Sequence, residues 1–145
     1  MIKSNKVTLE FLAVSENEAL ARNVAGFFAI QFSPTISEVS DIKTAVSEAV
    51  TNSIVHGYPN KKGTIIMELL RKNDILHINV IDRGVGIKNI EESLEPFYTT
   101  KEEDERSGMG FTIMKTFMDD VNVVSEPGLG VKVSMTKKIR SNSLE

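Results

Sequence analysis

The chain has 145 residues, 41% of them hydrophobic and 26% charged, with a formal net charge of −3 and no cysteine. These values predict one globular domain over residues 1–145 and exclude a disordered chain, a disulfide framework and cysteine-ligated zinc. Without a lysine and arginine cluster, a signal peptide or a bilayer-spanning run, we expect a cytoplasmic protein that binds neither nucleic acid nor membrane directly.

The first predicted elements are a strand and a helix. Apolar and polar residues alternate from Val7 to Val14, which indicates a half-buried strand. Ser15 and Glu18 have the spacing of a capping box, so a helix is predicted from there to about Gln31.

A second amphipathic helix is predicted from about Ser37, since Pro34 interrupts the pattern before it. Gly57 is typical of a helix end. The predicted apolar face consists of Val39, Ile42, Val46, Ala49 and Val50.

The second half of the chain predicts an antiparallel hairpin, a long loop, a helix and two closing strands. The hairpin joins Thr64–Leu70 to Ile75–Ile81 through a short loop. A long irregular stretch after Asp82 is typical of a functional loop. The later helix and strands are predicted from Phe111, Met114, Phe117 and Met118 at helical spacing, and from Val121–Val124 and Val131–Met135 around a Pro127-Gly128 turn.

These elements together predict an α+β two-layer sandwich. The late connections are too short for parallel crossovers, so the sheet is expected to be mostly antiparallel and mixed, with the helices on one face.

A polar stripe runs along the second predicted helix, where Glu48, Asn52 and His56 recur every four residues. The amide oxygen of Asn52 suits Mg²⁺, which takes few protein ligands. Glu48, one turn earlier, is suited to general-base catalysis. A solvated helix face explains the stripe equally well, and His56 also fits the favourable end of a helix dipole.

Two glycine clusters follow. Asp82, Gly84 and Gly86 come directly after a strand, where the backbone approaches a ligand closely and Asp82 can accept a hydrogen bond from an exocyclic amine. Gly108, Met109 and Gly110 precede a helix, whose free amides bind phosphate. A simple turn is the alternative for the first cluster, and neither is a Walker loop.

The segment between the clusters, about 95–107, is predicted to be a nucleotide lid. It contains Thr99, Lys101, Arg106 and Ser107, and its basic residues add positive charge near the phosphates. A solvated loop is the alternative reading.

The three clusters in this order resemble the N, G1 and G2 boxes of the GHKL ATPase and kinase superfamily, which has the Bergerat ATP-binding fold. More closely, Ser47–Asn52, His56–Tyr58 and Phe97–Met118 resemble the anti-sigma F factor family of serine kinases. The resemblance covers nearly the whole chain.

The resemblance implies a homodimer that binds ATP or ADP with Mg²⁺, inhibits sigma factor F and phosphorylates a serine of an anti-anti-sigma factor. It makes Glu48 the catalytic base, Asn52 the Mg²⁺ ligand and Asp82 the adenine contact, while Arg22 contacts both protein partners. The implied nucleotide-binding residues are Asn52, Asp82, Gly84, Gly86, Thr99, Lys101, Arg106, Ser107, Gly108, Met109 and Gly110.

One position departs from the family pattern. The usual Gly-Thr of the last box, whose hydroxyl helps to fix adenine, is Gly130-Val131 here, and valine cannot make that hydrogen bond. Two alternatives remain open from the motifs: a kinase that serves the general stress sigma factor, and a nucleotide-gated module that sequesters a sigma factor without catalysis.

Overall fold

The structure is a computed structural model that describes residues 3–58, 62–84, 110–126 and 128–140. A sheet forms one layer and helices form the other. In chain order the elements are β1 (Ser4–Leu12), α1 (Glu16–Ala29), α2 (Ile36–Asn52), β2 (Thr64–Lys72), β3 (Ile75–Asp82), α3 (Gly110–Phe117), β4 (Asp120–Glu126) and β5 (Gly130–Lys138).

The sheet has the strand order β1-β2-β3-β5-β4, and all four pairings are antiparallel. This confirms the predicted α+β sandwich, with no parallel pair in the described part of the sheet. The β2–β3 hairpin turns at Asn73 and Asp74, and Asn73 adopts the left-handed conformation with φ 57° that asparagine tolerates.

Alternate residues of each central strand face the helix layer, as the two-residue period requires. On β3, Leu76, Ile78 and Val80 are fully buried, and the same alternation buries Asp82 at the strand end. His77 lies on the opposite, partly exposed face, as its position in the pattern predicts. The alternation of buried residues along β3 therefore places the Asp82 carboxyl group on the core-facing side of the sheet.

The core face of α2 differs from the prediction at one position. Ile42, Val46, Ala49 and Val50 are fully buried together with Ala45, while Val39 is half-buried and lines a surface groove. Val39 lies only one turn from the start of the helix.

The predicted capping box at Ser15 is wrong. Ser15 has helical dihedral angles and makes no capping hydrogen bond, and the Glu18 carboxylate instead accepts hydrogen bonds from Arg22 at 2.8 Å. The capping box occurs on α2, where the Glu38 amide donates to Thr35 Oγ1 at 3.0 Å and the Thr35 amide donates to Glu38 Oε1 at 2.9 Å.

Both long helices end in a different helical form. A 3₁₀ turn, Ile30–Phe32, closes α1, and a π-helical turn, Ser53–Gly57, follows α2. Because a π-helical turn is wider than an α-helical one, His56 is displaced from the helix face that Glu48 and Asn52 share. None of the helices in the described ranges is long and apolar enough to cross a membrane.

Candidate functional site

The centre of the site is the carboxyl group of Asp82, at the end of β3 and only 4% exposed. Oδ1 accepts a hydrogen bond from the Gly84 amide at 2.9 Å. The Ser53 side chain and the Val131 backbone also lie near this carboxyl group and favour its ionised form. Burial raises the pKa of Asp82 above 3.8, and these three neighbours only partly oppose that effect.

Three glycines let the backbone close around Asp82. A Cβ on Gly57 would lie 3.0 Å from Asp82 Cγ, and a Cβ on Gly84 would overlap the carbonyl oxygen of Gly57. Gly130 has φ 104°, and a Cβ there would overlap the carbonyl oxygen of Asp82. Sequence patterns indicated Gly84, whereas Gly57 was predicted only as a helix end.

Tyr58 holds the chain that leaves Asp82. Its hydroxyl accepts a hydrogen bond from the Arg83 amide at 2.7 Å and donates one to the Thr64 carbonyl at 2.8 Å. Arg83 is therefore linked through Tyr58 to the start of β2. The sequence did not predict this role of Tyr58, because the contact joins residues 25 positions apart.

The second part of the site lies between α2 and the start of α3. A Cβ on Gly110 would lie 2.6 Å from Asn52 Nδ2, so the missing side chain allows this contact. Asn52 Oδ1 is buried and has no hydrogen-bond partner among the described residues. An unsatisfied buried amide oxygen normally needs a partner, and a cation or its bound water meets that need.

One short stretch connects the two parts. Asn52 ends α2, Ser53 begins the π-helical turn, and Gly57 closes it against Asp82. Glu48 is half-buried one turn before Asn52. The N-box residues and Asp82 are thus held by neighbouring backbone, which fits the known enrichment of π-helical turns at functional sites.

Several predicted residues lie outside the described ranges, namely Gly86, Thr99, Lys101, Arg106, Ser107, Gly108, Met109 and the lid at about 95–107. Within the described ranges, no group of three histidine, aspartate or glutamate side chains comes together as a metal site. A metal ion bound by Asn52 as its only protein ligand would need further oxygen ligands.

Arg22 lies on α1, and its guanidinium bonds both carboxylate oxygens of Glu18 at 2.8 Å. It lines an open groove of about 630 Å³ between α1 and α2, which ends at Ser47 beside Glu48. The groove also includes the apolar side chains of Ile30, Ile36 and Val39.

Val131, where a threonine was expected, is nearly buried on β5 directly opposite Asp82. Its backbone amide contacts the carboxyl group, while its side chain brings no hydroxyl to the site. The described polar groups next to Asp82 therefore come from Ser53 and the backbone.

Comparison with known proteins gives the class and then the family. The family model described as histidine kinase-like ATPase domain matches residues 11–137, so fold and site together define a nucleotide-binding ATPase domain of this class. Anti-sigma F factors from Thermoanaerobacter sp. (strain X514) and Clostridium perfringens (strain SM101 / Type A) are 52% and 54% identical over 139 and 138 residues. These alignments cover 96% and 94% of this chain and 97% and 99% of the relatives. The chain belongs to the anti-sigma F factor family, which confirms the resemblance.

Two solved structures share the fold. The RsbU and RsbW domains of a Mycobacterium tuberculosis protein match with a TM-score of 0.68 at 17% identity, over 97% of this chain and 35% of that one. The catalytic domain of histidine kinase ThkA matches with a TM-score of 0.59 at 15% identity, over 92% and 96%. At these identities the likeness establishes the fold alone.

Proposed function

We propose that the chain is an anti-sigma factor and a protein serine kinase that uses Mg-ATP. In this proposal it binds sigma factor F in an ATP-dependent complex, and it phosphorylates a serine of an anti-anti-sigma factor. The observation that carries it is the unsatisfied oxygen of Asn52 beside the start of α3, directly before the π-helical turn that closes against Asp82 at Gly57. Membership of the anti-sigma F factor family favours sigma factor F over a general stress sigma factor.

The nucleotide would lie between the end of β3 and the start of α3. Asp82 would accept a hydrogen bond from the 6-amino group of adenine, and the absence of a side chain at Gly84 would let the Gly57 backbone close beside it. Gly110, and outside the described ranges Gly86, Gly108 and Met109, would surround the phosphates with backbone amides. Thr99, Lys101, Arg106 and Ser107 would contribute from the lid.

Asn52 would hold Mg²⁺ through Oδ1, which is buried and needs a partner. The ion would supply charge stabilisation at the β- and γ-phosphates when it is bound. An amide oxygen is a hard, neutral ligand, so it suits an ion that keeps most of its coordination for water and phosphate.

Glu48 would act as the general base. Its carboxylate would take the proton of the partner's serine hydroxyl as the serine oxygen bonds to the γ-phosphorus, and the bond from that phosphorus to the bridging oxygen breaks. ADP leaves with the electron pair of the broken bond. The position of Glu48 one turn before Asn52 supports this role.

The kinase proposal is tested by incubating the purified protein with γ-labelled Mg-ATP and an anti-anti-sigma protein. We expect phosphoserine on the partner, reduced about 10²- to 10⁴-fold in Glu48→Gln because a general base typically contributes that factor. Glu10→Gln, on the exposed side of β1, is the matched control. ATP binding by the wild type without transfer would instead indicate the nucleotide-gated sequestering module.

Arg22 would contact both protein partners, in a protein that we expect to be a homodimer. Its place at the edge of a groove with an apolar lining supports a docking role. We expect Arg22→Ala to weaken capture of sigma factor F in the presence of ATP. Lys132→Ala removes the same charge from the exposed side of β5 and should leave capture unchanged, so equal losses would argue against a specific role for Arg22.

A further inference from the structure

Ser53 has a contact that the proposed function does not yet use. In the part of the chain that the structure describes, Ser53 and Asp82 are the two residues, apart from Tyr58, whose polar or charged side chains are buried as a whole, each 4% exposed. The Ser53 side chain lies near the Asp82 carboxyl group and favours its ionised form, and the π-helical turn that Ser53 begins closes against Asp82 at Gly57. A buried hydroxyl that pairs with a buried carboxyl group restricts both, because neither has water as an alternative partner.

The other described neighbours of the Asp82 carboxyl group belong to the backbone. The Gly84 amide donates from the turn after β3 at 2.9 Å, and the Val131 backbone lies near the carboxyl group on β5. Gly57 closes another side, since a Cβ there would approach both carboxyl oxygens at 3.0 and 3.1 Å. Among the described neighbours of the carboxyl group, Ser53 is therefore the side chain with a hydroxyl to donate, and it comes from the helix layer.

We infer that Ser53 is a positioning residue for base recognition, whose hydroxyl fixes the Asp82 carboxylate in the orientation that accepts a hydrogen bond from the 6-amino group of a purine nucleotide. The inference rests on the proposed function, in which Asp82 is the adenine contact. It assigns the selectivity for adenine to two residues, Ser53 in the helix layer and Asp82 in the sheet. Ser53 acts only through Asp82.

The test compares ATP with purine riboside triphosphate, which has the same ring, sugar and phosphates but lacks the 6-amino group. Dissociation constants for both are measured by calorimetry in the presence of Mg²⁺. Loss of one neutral hydrogen bond corresponds to a roughly two- to twelve-fold change. We expect Ser53→Ala to weaken ATP by that factor and to leave purine riboside triphosphate unchanged, and Ser53→Thr to restore the preference for ATP.

Two reference variants separate the possible failures. Ser37→Ala, on the exposed first turn of α2, controls for a serine-to-alanine change in the same helix. Asp82→Ala removes the acceptor and should abolish the preference for ATP. Equal weakening of both nucleotides by Ser53→Ala would show a purely structural role, and no weakening of either would also overturn the inference. Wild-type protein that does not prefer ATP to the analogue would overturn the proposed adenine contact itself.

Discussion

The environment of the Asp82 carboxyl group changes its pKa. Burial raises the pKa above 3.8, against the opposing effect of Gly84, Ser53 and Val131. A carboxyl group whose pKa is higher in the folded than in the unfolded state binds more protons when folded in the window between the two values. The contribution of Asp82 to the free energy of unfolding therefore falls as the pH rises through that window.

The first prediction follows from this sign. In Asp82→Asn the titrating group is gone, so the free energy of unfolding of the wild type minus that of the variant should be largest below about pH 4 and smaller near neutral pH. Urea unfolding of both proteins from acid to neutral pH checks this. Asp120→Asn, at the exposed start of β4, controls for the lost charge. A difference that grows as the pH rises would contradict the raised pKa.

Gly130 offers a second prediction at this scale. An alanine there would adopt a left-handed φ of 104° and overlap the backbone of Asp82, whereas Gly128 has φ 84° with nothing within 4 Å of its Cβ position. Left-handed strain costs about 1 to 2 kcal/mol, and a steric overlap in a packed site adds about 1 to 3 kcal/mol.

We therefore expect Gly130→Ala to lower the free energy of unfolding by more than Gly128→Ala does. Urea unfolding of the two variants beside the wild type measures the difference. Equal losses would mean that only the dihedral angle matters, and that the close approach of β5 to Asp82 is not restrictive.

Among single residues, the sequence indicated those with unusual chemistry at a recognisable spacing. Asn52 and Asp82 were predicted, and both lie in the described site. Ser53 and Tyr58 were missed because a serine after a helix and a tyrosine before a proline have no distinctive pattern. Their roles arise from contacts with residues more than 20 positions away.

At the level of elements, strands were easier to predict than helix ends. Alternation located β1, β2 and β3 to within a few residues, because one buried face imposes a period of two. Capping depends on one or two hydrogen bonds, and the Ser15 and Thr35 sites both have a glutamate three residues later. At Ser15 the glutamate pairs with Arg22 instead.

This difference gives a third prediction. Thr35 makes both hydrogen bonds of a capping box, and replacement of such a residue by alanine typically costs about 1 kcal/mol. Thr35→Ala should lower the free energy of unfolding by about that amount, while Ser15→Ala, which removes no capping bond, should change it far less. Chemical denaturation of the two variants decides the point, and a larger loss for Ser15→Ala would reverse the assignment.

At the scale of the whole molecule, the fold class and the order of the elements were predictable, but the close approach of Gly130 to Asp82 and of Gly110 to Asn52 was not. These approaches depend on the pairing of β3 with β5 and on the packing of α3 against α2, which are long-range contacts. A single domain over residues 1–145 and the lid at about 95–107 stay predictions.

The last prediction concerns coupling between ligand and fold. A ligand that binds only the folded state stabilises it by about 2.7 kcal/mol at a hundredfold excess over its dissociation constant. If Asn52 Oδ1 holds Mg²⁺, part of the stabilisation by ATP depends on the ion. Thermal unfolding with ATP should therefore show a higher midpoint with Mg²⁺ than with a chelator in the wild type, and a much smaller increment in Asn52→Ala. Asn122→Ala, on exposed β4, should retain the increment. A full increment in Asn52→Ala would place the ion on other ligands, even if ATP itself still binds.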